Sequence, residues 1–158
     1  MFYTKVTDSK GNVLIDNTEN KATQVFKAST ASLLTNAMED VLEKGTGVAA
    51  RLDNMHAAGK TGTTNEAKDL VFAGFTPYYT AAIWATYDTH AEFPESDREF
   101  HKRLWAKVMN EIHEGLADMD FETSATVQEA TICTKTGLLA RSSCPSITEY
   151  FAVSDLPT

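Results

Sequence analysis

A chain of 158 residues, 42% hydrophobic and 23% charged, is long enough for one domain with a real core, and this composition excludes wholesale disorder. Its formal net charge of -8, with no basic run of five or more residues and no RNA-binding motif, argues against an exposed nucleic-acid surface, although a local cationic cleft stays compatible with it. No apolar run approaches the ~20 residues of a membrane span, and the N-terminus lacks the positive segment and apolar stretch of a signal peptide.

The chain opens directly in strand-like sequence, Met1-Phe-Tyr-Thr-Lys-Val-Thr7, and reads as the continuation of a larger protein. Residues 2–15 predict a hairpin, with Val6 before the turn composition Asp8-Ser9-Lys10-Gly11 and Val13-Leu14-Ile15 after it. A polar stretch, Asp16 to Lys21, leads to a helix predicted at about 29–44. Ser29 or Thr30 supplies its cap, Ala31, Leu34, Ala37, Met38, Val41 and Leu42 recur at helical spacing, and Gly45 ends it. Gly45-Thr46-Gly47 then starts a short turn or helix through about Leu52.

Three strands are predicted next, at about 56–63, at Leu70–Phe75 and at Thr80–Tyr87. The linkers between them are short, so the three should form an antiparallel meander. Their nearly continuous apolar character predicts helices over both faces. Residues 97–116 carry the strongest helix signal, with Phe100, Leu104, Trp105, Val108, Met109 and Ile112 as the apolar stripe and Gly115 near the end. Short strands come after it around Phe121, Thr131–Cys133, Leu138–Ala140 and Phe151–Val153, with a turn at Thr136-Gly137. The two cysteines, Cys133 and Cys144, do not have zinc-site spacing. They read either as buried free thiols or, in an oxidising compartment, as a disulfide flanking a hairpin.

Among the strands, the first carries Ala57-Ala58-Gly59-Lys60-Thr61-Gly62-Thr63-Thr64. A lysine, hydroxyls and a residue without Cβ suit a site that receives a carboxylate and a developing oxyanion. Gly59-Lys60-Thr61 also has the ending of a phosphate-binding P-loop, but Asn54 stands where that loop needs its first glycine and the preceding residues are mostly polar. The set Ser-x-x-Lys, Ser-Asp-Asn and Lys-Thr-Gly marks serine acyl transferases that react with penicillin. In that chemistry a serine attacks a carbonyl and backbone N–H groups stabilise the oxyanion.

The ordered run Gly45-Thr46-Gly47, Ala58-Gly59-Lys60-Thr61-Gly62-Thr63-Thr64-Asn65, Lys68-Asp69-x-x-Phe72-x-Gly74-x-Thr76-Pro77 and Trp84-x-x-Tyr87-Asp88 resembles the latter part of the transpeptidase domain of class A penicillin-binding proteins. Lys5-Val6-x-Asp8-x-x-Gly11-x-Val13-Leu14 fits the hairpin upstream in that family. The segment from Ile132-Cys133 through Gly137-Leu-Leu-Ala140, Cys144-Pro145 and Glu149-x-Phe151 is similar to the stretch after the last helix of that domain, so the resemblance spans nearly the whole chain. It implies that Lys60 lines the cleft and supports acylation, and that the Thr61 and Thr63 hydroxyls bind the substrate carboxylate. It also implies that Gly62 lets substrate approach the strand edge and that the Thr63 N–H is half of the oxyanion hole. The family's location outside the membrane implies an oxidising exterior, which permits a bridge between Cys133 and Cys144.

One departure bears on activity. No serine has Lys three positions later or Asn two positions later; Thr7-Asp-Ser-Lys10 and Thr18-Glu-Asn-Lys21 share only the shape. In the family those elements lie upstream, with two strands of the central sheet and, farther up, a glycosyltransferase domain. The expectation is therefore an α+β fold with an antiparallel sheet packed by helices, a C-terminal piece of the transpeptidase domain over 1–118 and a β-rich extension over 119–158. By the resemblance, the parent cross-links peptidoglycan stem peptides, is acylated by β-lactams, and sits on the extracytoplasmic face of the bacterial plasma membrane through an N-terminal helix outside this chain. No cofactor or metal and no nucleic acid is implied. The missing N-terminal part is the expected partner, and self-association is expected from an uncovered sheet edge. The alternative is a non-catalytic binding or scaffold module that retains the fold.

The remaining conspicuous residues read as structural. His56, His90, His101 and His113 have no metal-site spacing, and His56 reads as a surface residue at the strand start. Trp84 and Trp105 read as core anchors between sheet and helix, Asp69 and Asp88 as solvated or capping strand ends, and Glu39, Asp40 and Glu43 as a solvated helix face.

Overall fold

The structure, a computed structural model, describes residues 3–19 and 23–158; Phe2, which begins the predicted hairpin, and Asn20 and Lys21 of the Thr18–Lys21 run lie outside the described residues. Strands β1 (Lys5–Thr7) and β2 (Val13–Asp16) form the first hairpin. Its turn is tied by Asp8, whose carboxylate accepts from the backbone N–H of Lys10 at 2.8 Å and of Asn12 at 2.9 Å. Helix α1 (Ala28–Glu43) comes next, then a one-turn 3-10 segment (Val48–Ala50). Strands β3 (Ala58–Thr63), β4 (Asp69–Phe75) and β5 (Thr80–Thr86) form the antiparallel meander, in spatial order β3-β4-β5. Helix α2 (Phe100–Ile112) and the hairpin of β6 (Val127–Cys133) and β7 (Ser146–Ala152) complete an α+β architecture.

Register decides which side chains enter the core. Thr61, Phe72 and Ile83 are paired across the three strands, as are Gly59, Gly74 and Ala81, so these six share one face. On that face Phe72 is fully buried and meets Trp105 of α2 edge to face, with ring centroids 4.9 Å apart. The Trp105 indole N–H donates to the Ala81 carbonyl at 3.0 Å, which removes the cost of burying it. Leu42 from α1, with Ala50, Leu52, Met55 and Met109, fills the same core. Burying each larger apolar side chain contributes about 1.5–3 kcal/mol. At Gly74 a Cβ would lie 2.7 Å from the Trp105 ring, so glycine is what lets α2 come this close.

The opposite sheet face departs from expectation. Val71, Ala73, Ala82 and Trp84 point there, and no helix covers them among the described residues. Trp84 is 67% exposed, because strand alternation puts it on the face away from α2; of the two tryptophans, only Trp105 anchors helix to sheet. Both helices are also less covered than their periodicity suggests. On α2 the buried side carries His101, Lys102, Trp105, Ala106 and Met109, whereas Phe100, Leu104, Val108 and Ile112 form an exposed ridge one turn apart. On α1, Ala31, Leu34 and Ala37 are exposed. A stripe of apolar residues reports a face that suits burial, and the described residues supply only enough layers to bury part of each.

Helix ends and the tail show smaller differences. Lys27 takes the N-cap position of α1 with no side-chain cap, leaving Ser29 and Thr30 inside the first turn; at the other end Lys44 N–H donates to the Asp40 carbonyl at 3.0 Å and Gly45 comes directly after. Leu138–Ala140 forms no strand, only a single bridge between Ile132 and Leu139. Cys133 and Cys144 are joined by a disulfide that closes the β6–β7 connection, with Cα atoms 5.6 Å apart. The β6–β7 hairpin rests on α1, and the Ser124 N–H donates to Ser32 Oγ at 2.9 Å.

Candidate functional site

Strand β3 is an edge strand: β4 pairs one side of it and, among the described residues, nothing pairs the other. Which groups face that open edge is set by one hydrogen bond. The Thr64 N–H donates to the Asp69 carbonyl across the ladder at 3.2 Å. Residues along an antiparallel strand alternate between facing the partner and facing away, so the N–H and C=O of Thr63 and Thr61 point out of the sheet edge. An edge strand with exposed main-chain donors is a ready acceptor site for an extended chain.

The side chains around that edge have distinct placements. Lys60 is exposed; its ammonium donates to the Thr61 carbonyl at 3.0 Å and lies 3.4 Å from Thr61 Oγ1. Among the described residues no carboxylate pairs with it, so its positive charge is available to an anion. Thr61 is half-buried and Thr63 exposed. Gly59 and Gly62, three residues apart, differ in their need for glycine. A Cβ at Gly59 would lie 2.7 Å from the Phe72 ring and 2.9 Å from the Ala73 carbonyl oxygen. At Gly62 the only neighbour within 4 Å is Val71 Cβ, at 3.4 Å, an ordinary contact.

The turn after β3 is pinned by polar contacts. Thr64 Oγ1 donates to an Asp69 carboxylate oxygen at 3.0 Å and accepts from the Asp69 N–H at 2.9 Å. The Trp84 indole N–H donates to the other carboxylate oxygen at 3.1 Å, and these bonds, Trp84's first, hold the Asp69 carboxyl below its ordinary range. Asp88 lies exposed beyond β5.

Two residues absent from the sequence-based site adjoin it. Thr46 and Thr61 share a hydroxyl–hydroxyl hydrogen bond of 2.8 Å. Lys102, buried on α2, donates to the Thr46 carbonyl at 2.8 Å and to Glu99 at 2.6 Å. The flanking glycines of Gly45-Thr46-Gly47 were a signal for a constrained loop, whereas nothing in the α2 pattern distinguishes a buried lysine from a solvated one. A second Lys-Thr-Gly, at Lys135-Thr136-Gly137, lies in a turn where both Thr136 and Gly137 N–H groups donate to the Cys133 carbonyl and Gly137 has φ +73°. It presents no strand edge.

The histidines divide by environment. His113 is buried between Thr76 Oγ1 at 2.8 Å and the Met109 carbonyl at 2.6 Å. His101 is buried on α2, and desolvation pushes its pKa down. His56, just before β3, contacts Asp118 at 3.0 Å and Asp120 at 3.2 Å, and the Asp118 hydrogen bond raises its pKa. The acidic side of α1 is only partly solvated: Glu39 is half-buried, with its carboxyl pushed up by burial, and Asp40 pairs with Lys44 at 2.9 Å. No helix of the described residues is long and apolar enough to cross a membrane.

Comparison with known proteins matches this chain to two family profiles: "Penicillin binding protein transpeptidase domain" over residues 2–114, and "Penicillin-binding protein 1A, C-terminal domain" over residues 124–158. Among curated relatives, a penicillin-binding protein 1A of Clostridium perfringens is 36% identical over 90% of this chain and 17% of its own length. A penicillin-binding protein 1A of Clostridium tetani is 34% identical over 98% of this chain and 21% of its own length. The chain thus spans about a fifth or less of the relatives it matches. In structure it is similar to penicillin-binding protein 1A from Haemophilus influenzae, with a TM-score of 0.73 over 98% of this chain and 29% of the other, at 19% identity, a likeness of fold.

Proposed function

The chain belongs to the penicillin-binding protein transpeptidase family, and we propose on that basis that it carries one wall of a DD-transpeptidase cleft whose nucleophile lies on other polypeptide. The observation that supports this most is the open edge of β3, where the Lys60 ammonium lies against the Thr61 carbonyl and hydroxyl, no carboxylate among the described residues pairs with it, and the Thr63 N–H points outward. In this reading Thr61 and Thr63 hold the free carboxylate of a D-alanyl-D-alanine stem peptide or of a β-lactam. The Thr63 N–H donates to the oxyanion as the serine adds to the carbonyl, and Lys60 supplies positive potential through the step. Gly62 leaves the strand edge clear for the donor peptide.

No serine here has the Ser-x-x-Lys or Ser-x-Asn spacing, so the attacking hydroxyl and its base come from upstream sequence in the parent protein. The parent releases the terminal alanine and passes the acyl group to a neighbouring stem-peptide amine. Residues 1–118 form the transpeptidase part and 119–158 a β-rich extension. The parent works at the extracytoplasmic face of the plasma membrane, held there by an N-terminal helix.

Intact mass after incubation with benzylpenicillin tests the reading. The chain alone gains no covalent adduct, because electrostatic stabilisation without a nucleophile forms no bond. Co-expressed with the upstream part of the parent that carries Ser-x-x-Lys, it restores labelling on that part, and Lys60→Ala slows acylation by about 100-fold or more. A penicillin adduct on the chain alone, or labelling indifferent to Lys60, refutes it.

A further inference from the structure

Resting on the carboxylate reading above, we infer that Thr46 is a positioning residue for Thr61, with Lys102 as its anchor. Thr46 is exposed, yet its backbone is fixed from two sides. Gly45 and Gly47 seat the loop on the last turn of α1: a Cβ at Gly45 would lie 2.9 Å from Val41 Cα, and one at Gly47 would lie 2.9 Å from Val41 Cγ1. The Gly47 N–H also donates to the Val41 carbonyl at 2.8 Å. From the other side comes Lys102, 6% exposed, with its ammonium on the Thr46 carbonyl. A buried ammonium is costly unless its hydrogens are satisfied, and Glu99 and the Thr46 carbonyl satisfy two of the three. The loop cannot shift without breaking one of these contacts.

The consequence falls on one hydrogen atom. A threonine hydroxyl has one hydrogen and two acceptor lone pairs. The Lys60 ammonium faces Thr61 Oγ1 at 3.4 Å, and the Thr46 hydroxyl lies 2.8 Å from the same oxygen. When Thr46 donates, both neighbours approach Thr61 as donors, and the Thr61 O–H is left free to point into the open edge. The reverse arrangement, with Thr61 donating to Thr46, turns lone pairs toward an incoming carboxylate and repels it. Thr46 therefore lets Thr61 act as a donor to an anion without touching the anion itself.

The full chain is titrated with N-acetyl-D-alanyl-D-alanine and with its C-terminal carboxamide, following the Thr61 and Thr63 amide resonances by NMR. The expected result is a response of the wild type to the carboxylate and not to the carboxamide. Thr46→Val, which keeps the shape and removes the donor, weakens carboxylate binding about tenfold at unchanged melting temperature. Thr46→Ser returns it to within about twofold of wild type by the same hydrogen-bond reasoning. Lys102→Met weakens binding in the same direction. A wild type that ignores the carboxylate sinks the carboxylate reading and this inference with it. A wild type that binds, with Thr46→Val binding equally well, overturns the role of Thr46 alone, and equal binding by Lys102→Met removes the anchor. Because Thr46 is exposed, its variants decide the matter even if Lys102→Met does not fold.

Discussion

The indole N–H of Trp84 donates to the carboxylate of Asp69 at 3.1 Å, which ties a large, mostly exposed ring to the sheet face that no described helix covers. The ring is pinned by this polar contact at one end while its apolar surface stays largely in water, on the face it shares with Val71 and Ala82. Contiguous exposed apolar surface next to open strand edges favours pairing with another copy. The isolated chain is expected to self-associate, with sedimentation coefficients that rise with concentration and a blue shift of tryptophan emission. Trp84→Ser reduces both. A monomer of constant emission across a wide concentration range contradicts this.

The two glycines on β3 make opposite predictions. Gly59→Ala pushes a methyl into the Phe72 ring and the Ala73 carbonyl, and costs about 1–3 kcal/mol by overpacking. Gly62→Ala meets only an ordinary contact with Val71, so the fold changes by about 1 kcal/mol or less. On the proposed function its effect falls on the ligand, because the new methyl would project beside the edge that an extended peptide would occupy. Thermal unfolding and titration with N-acetyl-D-alanyl-D-alanine separate the two: the first variant loses stability, the second loses binding. A Gly62→Ala variant that binds like wild type would remove the reason given for this glycine.

Much of the architecture was legible from local signals. The meander was readable because its linkers are short, and the end of α1 because Gly45 stops a periodic run. The same three letters, Lys-Thr-Gly, occur at 60 and at 135, and only the neighbours distinguish an edge strand from a turn. Burial was less legible. The alternation along β5 says that Trp84 and Ile83 face opposite ways, but not which face a helix covers. Likewise Phe100, Leu104, Val108 and Ile112 line one ridge of α2, yet the core takes the adjacent ridge through Trp105 and Met109. Lys102 is buried on that side of the helix because, besides its local partner Glu99, a backbone carbonyl 56 positions earlier accepts a hydrogen bond from its ammonium, a long-range contact that no local pattern encodes.

His56 gives the fold a signed pH dependence. Its pKa is raised from 6.5, first by the Asp118 hydrogen bond, and the Asp118 carboxyl is lowered from 3.8 by hydrogen bonds from His56. A raised histidine contributes stability that is fully present below about pH 6.5 and is lost as pH climbs through the raised value; the lowered carboxyl loses its share only as pH falls below about 3.8. Glu39, Asp120 and Asp118 all face the imidazolium, and the raised Glu39 carboxyl works against folding as it ionises. The melting temperature should therefore fall as pH rises from about 6.5 through the raised value, and His56→Gln should flatten that slope. An unchanged slope in the variant would assign the pH dependence elsewhere.

Cys133 and Cys144 close a loop of sequence separation 11. Loop-closure entropy alone gives such a bridge about 3 kcal/mol. In the oxidised chain neither thiol is alkylated until a reductant is added, and intact mass then rises by two alkyl groups. Reduction should increase amide exchange in β6 and β7 before it does so in β4. Alkylation without reductant would show the pair to be free thiols.

Helix α1 serves two neighbours at once: its last turn seats the loop beside Thr61, and the C-terminal hairpin rests against its flank, with the segment leading into it tied to Ser32 by the Ser124 N–H. Trimming the chain after α2 to obtain a smaller piece that keeps the β3 edge would thus be self-defeating. The cut strips support from the very rod on which the Thr46 loop and its hydroxyl contact with Thr61 are seated, so what looks like a dispensable appendage is a brace for the β3 edge.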